Sequence, residues 1–205
     1  MNNVSATSST DFVQHHLTQT PLLRPLTMVL KQWLFQRKMN EVYLRGGLSS
    51  YALFLLILTT VHHRQHDTQH IPSESLGRLL MQFLQQWSSP TAFADIIRPL
   101  HGFLDKSALS WDDPYQPFLL CIPASHSSSM LIVGIQDPVN EENCIGRQTF
   151  SIREIQKEWA LSCNALTVAI EEYERDVHGG REKSLLASIV GLTTRFPPPP
   201  FPHRF

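Results

Sequence analysis

The 205-residue chain has almost no net charge, few cysteines and no long hydrophobic run. Its 17 Lys and Arg against 18 Asp and Glu give a formal net charge of −1 at pH 7. This excludes the overall basic field that is typical of a free-standing nucleic-acid-binding domain, so any such contact depends on a local patch. The three cysteines, Cys121, Cys144 and Cys163, are odd in number and widely spaced. That pattern predicts neither a disulfide framework nor a zinc site, and it is typical of a reducing compartment.

No segment has the character of a membrane span or of a secretory signal. The opening residues, MNNVSATSSTDF, contain no apolar stretch, which argues against a signal peptide. The longest apolar run, residues 52–58 with Val61 close behind, is much shorter than the roughly 20 residues that cross a bilayer. We therefore expect a buried helix at the centre of a soluble, intracellular protein.

Hydrophobic residues recur every three to four positions through most of the chain, which predicts a mostly α fold. The expected helices cover residues 8–20, 25–39, 51–61, 76–87, 151–177 and 182–190. Ser49 or Ser50 is the expected cap of the central helix, and Ser151 with Glu154 predicts a capping box. Two apolar runs, 118–122 and 130–135, predict paired strands, so the small β element is expected near residues 118–135.

The stretch between the third and fourth predicted helices is rich in histidine. Residues 62–70 read HHRQHDTQH and hold four histidines. A metal site is one interpretation, but Asp67 is the only carboxylate among them. The polar composition and the following Pro72 favour a surface loop. Residues 93–100 predict a short amphipathic piece, followed by irregular chain up to Pro117.

Three segments, in this order, resemble one protein family. The first is LRPLTMVLKQW at residues 23–33, continuing to RKMNEV at 37–42. The second is GGLSSY at residues 46–51, and the third runs from IQDP at 135–138 through GR at 146–147 to FSIREI at 150–155. Together they resemble the central, poly(A)-polymerase-associated domain of noncanonical nucleotidyltransferases. The likeness favours the Trf-type poly(A) polymerases of the nuclear TRAMP surveillance complex and covers about residues 17–192.

The resemblance implies a domain organisation and a missing set of carboxylates. Residues 1–20 would join a catalytic half, 21–192 would form the central domain, and 193–205 a Pro-rich tail. In the family, a Gly-Ser motif is followed by two aspartates and, on a later strand, a third. These carboxylates hold two divalent metals, Mg²⁺ or Mn²⁺, for attack of an RNA 3′-hydroxyl on the α-phosphate of a nucleotide. This chain contains no Gly-Ser dipeptide and no Asp-x-Asp or Asp-x-Glu. We therefore expect no catalytic residue and no metal ligand here, and no activity of the chain alone.

The second segment supplies the nucleotide contacts that the resemblance implies. The ring of Tyr51 would stack on the base, and Ser49 or Ser50 would bind a phosphate oxygen, where free N–H groups at a helix start favour an anion. The alternative is that the serines only cap the helix and Tyr51 is a core ring. Lys31 occupies the place of a phosphate-contacting lysine. A second lysine common in the family is replaced here by Phe35, for which Arg37 or Lys38 could substitute, and Lys31 could equally lie in solvent.

The third segment resembles the family's nucleotide recognition motif. Asp137 would be a capping or base-edge acceptor, Asn143 can complement an adenine edge, and Arg147 can pair with phosphate. Related uridylyl-adding enzymes often place a histidine at the position of Asn143, so Asn143 favours ATP. The alternative is an acidic surface loop in which Arg147 neutralises Glu141 or Glu142. The polar insertion ASHSSS at residues 124–129 could displace this loop.

The sequence thus favours a nucleotide- and RNA-recognition domain of a template-independent RNA 3′-adenylyltransferase. The implied substrates are ATP and an RNA 3′ end, the implied partners are TRAMP-like RNA-binding and helicase subunits, and the implied location is the nucleus. One alternative is a non-catalytic protein- or RNA-interaction module, whose tail, with Pro197–Pro200 in a polyproline conformation, would bind a partner that reads such segments. Another is a terminal uridylyltransferase.

Overall fold

The computed structural model describes residues 3–67, 75–105, 133–175 and 184–190. Within these ranges the six α-helices are α1 (Asn3–Gln19), α2 (Leu23–Gln36), α3 (Val42–Arg45), α4 (Ser50–Asp67), α5 (Leu76–Ser88) and α6 (Ile152–Arg175). Two short 3₁₀ turns lie at Ile145–Gln148 and Leu185–Ser188. The prediction of a mostly α fold is confirmed.

Helix α4 forms the centre of the packed helices. Nearly all of its side chains up to Val61 are buried, and it lies against α2 and α5, while α5 packs on α6. Buried polar side chains join these helices: the indole of Trp33 donates to the hydroxyl of Ser162 at 2.9 Å, and that of Trp87 donates to Thr60 at 2.9 Å. Because buried N–H groups need partners, these bonds fix the helix positions that carry the site.

The end of α2 is defined by a left-handed residue. Lys38 has φ 56°, and the amide of Met39 donates to the carbonyl of Leu34 at 2.9 Å while that of Lys38 donates to Phe35 at 3.0 Å. This is the Schellman arrangement, and it ends the helix at Gln36, three residues before the predicted position.

The β structure of the described residues is a small hairpin that sequence reasoning missed. Strands β1 (Ile96–Arg98) and β2 (Gly102–Leu104) are antiparallel, with Ile97 opposite Phe103. The sequence predicts an amphipathic piece and irregular chain in this region, and that prediction is wrong at both strands. Strands of three residues are too short to show an alternating pattern in the sequence. Of the predicted strands, residues 118–122 and 130–132 lie outside the described residues. Ile135 does join the sheet through a parallel bridge to Ile97.

Three other local predictions are corrected. Helix α4 continues to Asp67, so residues 62–67 are helical and not loop, since nothing before Pro72 breaks a helix; residues 68–70 lie outside the described part. The Ser151 hydroxyl donates to the carbonyl of Arg45, so the capping box is replaced by a tertiary contact. The predicted helix at 182–190 is only the 3₁₀ turn Leu185–Ser188 where the chain is described. No described helix is both long and apolar enough to cross a membrane.

Candidate nucleotide site

The start of α4 is held in place by a close approach of backbone to backbone. The amide of Leu48 donates to the carbonyl of Met39 at 2.8 Å. A Cβ on Gly47 would lie 2.3 Å from that same carbonyl oxygen, so only glycine allows the approach. The hydroxyl of Ser49 then accepts from the amide of Ala52 at 3.0 Å, which confirms that Ser49 is the helix cap. Ser50, one residue on, is exposed.

Tyr51 links the first turn of α4 to the loop before α6. Its hydroxyl donates to Oδ1 of Asp137 at 3.0 Å. Oδ1 also accepts from the amide of Val139 at 3.0 Å, and Oδ2 accepts from Nδ2 of Asn143 at 3.1 Å. Asp137 is only 2% exposed, so its carboxylate is a buried acceptor with three donors. The bond from the Val139 amide is a local capping contact, and a role for Asp137 as a base-edge acceptor stays a prediction.

The environment of Tyr51 keeps its hydroxyl protonated. Burial raises the pKa of Tyr51 well above its usual value, and the neighbouring charge of Asp137 and the hydrogen bond to it raise the pKa further. A hydrogen bond from the Ser9 side chain acts in the opposite direction and is the smaller influence. Since desolvation and a nearby negative charge both oppose a phenolate, Tyr51 acts only as a neutral donor toward Asp137.

Three of the predicted site residues line one cavity. Lys31 from α2 and Ser50 and Tyr51 from α4 border a cavity of about 390 Å³. A neighbouring cavity of about 320 Å³ shares Lys31 and Ser50 and is also lined by Met28 and Phe35. Both cavities beside Lys31 combine polar and apolar lining residues, and Phe35 lies where the family often has a second lysine.

The two possible substitutes for that second lysine, Arg37 and Lys38, do not line the cavities beside Lys31. Arg37 donates to Glu158 at 3.3 Å and to the carbonyl of Ile189 at 3.2 Å, and its guanidinium lies 4.3 Å from the centre of the Trp33 ring. It is therefore committed to packing α2 against α6. Lys38 is exposed at the end of α2 and lines neither of the two cavities that contain Lys31.

The loop 137–147 places its remaining predicted residues away from the cavity wall. Asn143 is exposed, its carbonyl accepts from the Asp137 amide at 3.0 Å, and its amide donates to Asn140 at 2.8 Å. Arg147 lies on the Ile145–Gln148 turn and is exposed. It forms no ion pair with any described residue, Glu141 and Glu142 included. The structure thus joins Asp137 and Asn143 to Tyr51 through hydrogen bonds, but Arg147 stands apart, and all the ligand roles stay predictions.

Helix α1 supplies side chains to the cavity that sequence reasoning did not single out. Ser9, Thr10 and Gln14 line it beside Tyr51, together with Thr27 of α2. We had expected this helix to join a catalytic half. The sequence did contain a signal for this cavity lining: the run of small, mostly polar residues SATSST at 5–10, near the start of the helix.

The described residues do not fit a divalent metal. No three His, Cys, Asp or Glu side chains within these ranges are grouped so as to hold an ion. The one buried carboxylate beside the cavity, Asp137, has both oxygens engaged by N–H and O–H donors. Two-metal chemistry needs clustered free carboxylates, so no step is assigned here to Mg²⁺ or Mn²⁺.

The chain resembles known RNA polymerases that add poly(A), both in sequence and in fold. It matches no protein-family model. Poly(A) RNA polymerase protein 2 of Saccharomyces cerevisiae is 29% identical over 187 residues, which are 87% of this chain and 30% of that protein. The polymerase core of TRAMP, an RNA surveillance complex, has the same fold with a TM-score of 0.70 at 27% identity, over 90% of this chain and 55% of that one. The chain is homologous to the noncanonical poly(A) polymerases.

Other proteins that this chain resembles are named for different activities. The inactive noncanonical poly(A) RNA polymerase protein Trf4-2 of Drosophila melanogaster is 26% identical over 187 residues, 91% of this chain and 43% of that protein. The Cid1 poly(U) polymerase has a TM-score of 0.62 at 20% identity, over 81% of this chain and 57% of that one, a likeness of fold alone. The chain spans less than half the length of these two poly(A) polymerase relatives.

Proposed function

We propose that this chain is the nucleotide-recognising part of an RNA 3′-adenylyltransferase. The observation that carries the proposal is the hydrogen bond from Tyr51 to buried Asp137 beside the cavity that Lys31 and Ser50 also line. A tyrosine ring fixed at its hydroxyl is a rigid stacking platform, and aromatic stacking accepts any base. The homologous poly(A) polymerases favour a nucleoside triphosphate as the ligand.

The phosphates of the bound nucleotide would lie toward the start of α4. Ser50 is exposed there as the first residue of an 18-residue helix, where the first backbone amides have no carbonyl partner within the helix. A helix N-terminus attracts anions through these amides and its dipole. Lys31 adds a point charge from α2 across the same cavity. We assign the phosphate contact to Ser50, because Ser50 is exposed and lines both cavities that contain Lys31, whereas Ser49 lines neither.

Base choice would depend on how Asp137 orients the amide of Asn143. Nδ2 of Asn143 donates one of its two hydrogens to Asp137, which orients the side-chain amide and would present its Oδ1 as an acceptor for a base. An acceptor at that place suits the exocyclic amine of adenine and opposes the O4 carbonyl of uracil. This arrangement supports ATP over UTP, although the Asn143 side chain must reach the base from its exposed position in the loop.

The proposal also includes the RNA substrate, the source of the metal ligands and the partner proteins. An RNA 3′ end would accept the adenylate, and the carboxylates that hold the metals would come from outside the described residues. The likeness to the TRAMP polymerase core supports a complex with RNA-binding and helicase subunits, and a nuclear location.

Calorimetry with ATP and with UTP tests the proposal on the full chain. We expect ATP to bind more tightly, and Tyr51→Ala to abolish binding. Tyr43→Ala is the matched control, because Tyr43 is 89% exposed and lines neither cavity that contains Lys31. Equal loss of binding in both variants, or no binding to either nucleotide by protein shown to be folded, would refute the assignment.

A second candidate is a nucleotide-binding module without catalysis. The relative from Drosophila melanogaster is named as inactive, and this chain holds no Asp-x-Asp or Asp-x-Glu. Both candidates predict that the 205-residue chain binds ATP without lengthening an oligo(A) primer in the presence of metal. The coding sequence upstream of Met1 separates them: an in-frame Gly-Ser motif and Asp-x-Asp would support the adenylyltransferase, and their absence would support the module.

A further inference from the structure

A groove of about 780 Å³ lies between α5, the C-terminal part of α6 and the Leu185–Ser188 turn, and the nucleotide proposal does not use it. Its walls are mainly apolar and include Leu80, Met81, Leu166, Ile170, Tyr173 and Leu186. A Cβ placed on Gly77, at the groove's edge, would meet no atom within 4 Å. Tyr173 is 51% exposed and Leu186 is 39% exposed, so apolar surface faces open space. A groove of this size holds several side chains, since ligand cavities run from roughly 300 to 1,000 Å³.

The chain itself carries a segment that suits this groove. Residues 191–205, GLTTRFPPPPFPHRF, follow directly on Val190, two residues after the 3₁₀ turn that forms one wall. They place Phe196 and Phe201 on either side of Pro197–Pro200. Phe196 lies six residues after Val190, a span of at most about 20 Å, so it is within reach of the groove wall that the turn forms. The other stretches next to its rim that the structure does not describe, 68–74 and 176–183, contain no Phe, Tyr or Trp.

The end of α6 beside the groove and the segment 191–205 carry opposite charges. The last residues of α6, 171–175, read EEYER, so three glutamates and one arginine give a formal charge of −2. The segment 191–205 holds two arginines and no acidic residue, which gives +2 with His203 neutral. The C-terminal end of a helix also favours cations. Arg78 at the opposite wall disfavours a placement in which Arg195 lies over α5, so the basic residues should face α6.

We infer that the Pro-rich segment docks in this groove of its own chain, with Phe196 and Phe201 as anchors. The proline run then lies in a polyproline conformation against the exposed ring of Tyr173, which is how aromatic-lined grooves hold such segments. Docking covers the apolar surface that α5 and α6 leave open. The inference is independent of the proposed nucleotide site, because the groove shares no lining residue with that cavity.

Photo-cross-linking of the full chain tests the docking directly. A benzophenone analogue of phenylalanine in place of Phe201 should form a link, within one molecule, to peptides that contain residues 75–81 or 166–173. Gly77→Trp fills the groove from its open edge and should lower the yield of this product about tenfold, the change that about 1.4 kcal/mol of lost contact produces. A main link to another region, or one that forms only between two chains, would overturn the inference.

Hydrogen exchange gives an independent measurement that leaves the groove intact. The double variant Phe196→Ser, Phe201→Ser should speed amide exchange in residues 79–84 of α5 relative to the unchanged chain, since docking opposes local opening. Phe205→Ser is the control beyond the anchors and should leave these amides unchanged. Exchange that is the same in all three proteins, or equally fast in both variants, would contradict anchoring by Phe196 and Phe201.

Discussion

The hydroxyl of Tyr51 donates to Oδ1 of Asp137 at 3.0 Å, across 86 residues of sequence. This bond ties the first turn of α4 to the loop that leads into α6, so the ring that faces the cavity is fixed from behind by a buried carboxylate. The same carboxylate holds Asn143 through its other oxygen. Stacking and base choice would therefore depend on one acidic residue that need not contact the nucleotide.

Tyr51→Phe should weaken ATP binding without abolishing it. The ring remains available for stacking, but the contact that fixes it is lost. We expect a loss of unfolding free energy of about 1 kcal/mol, the usual net value of one hydrogen bond, and a smaller loss of affinity than in Tyr51→Ala. Calorimetry and urea unfolding measure both; a phenylalanine variant as defective as the alanine variant would contradict a stacking role.

Stability should fall with rising pH in a way that depends on Tyr51. Its pKa is raised in the folded protein, so the folded state holds this proton more tightly than the unfolded chain. The contribution is complete below the unfolded pKa of about 10 and is lost as pH rises above it. Urea unfolding from pH 9 upward should show a steeper loss for the unchanged chain than for Tyr51→Phe. Parallel curves for the two proteins would refute the link.

Asp137→Asn should be destabilising and should reduce the preference for ATP. An amide offers one acceptor oxygen and an N–H₂ group where the carboxylate accepts from Tyr51, Val139 and Asn143. We expect a loss of roughly 2–3 kcal/mol, since hydrogen bonds to a buried charged group are the stronger ones. Asp11→Asn, at an exposed position of α1, is the control. An ATP-to-UTP affinity ratio that is unchanged in folded Asp137→Asn would exclude orientation of Asn143 as its origin.

Lys31→Ala should lower affinity for ATP but not for adenosine. The side chain lines the cavity beside Ser50, and under the proposed function it meets the phosphates. We expect about tenfold weaker ATP binding, equivalent to about 1.4 kcal/mol, and a weaker dependence of affinity on salt. Lys38→Ala is the matched control outside this cavity. A similar loss for adenosine would show that Lys31 supports the fold or the base instead of the phosphates.

Gly47→Ala and Gly77→Ala should have opposite effects on stability. A Cβ at Gly47 would lie 2.3 Å from the carbonyl oxygen of Met39, whereas one at Gly77 meets nothing within 4 Å. The first change forces backbone apart and should cost about 1–3 kcal/mol; the second should stabilise α5 by up to about 1 kcal/mol. Thermal unfolding compares them. If the two variants were equally stable, the close approach of Gly47 to Met39 would not be what positions the first turn of α4.

Much of the helical framework was predictable, because long amphipathic segments such as α5 and α6 repeat their apolar residues often enough to be recognised. The cap at Ser49 was predictable for a similar reason, since the hydroxyl acts within its own turn. The end of α2 and the hairpin at 96–104 were not. A left-handed Lys38 and strands of three residues depend on contacts that leave no local repeat.

The sequence by itself determined the helical class, the homology to poly(A) polymerases and which residue types a nucleotide site would use. Only the tertiary structure decided how those residues are arranged in space and which of them form hydrogen bonds with each other. It engaged the Ser49 hydroxyl and the Arg37 guanidinium in structural contacts, buried Asp137 behind Tyr51 and brought α1 over the cavity. The physical reason is that hydrogen bonds between distant segments, such as those to Asp137, carry no periodic signature along the chain and exist only once the helices have packed.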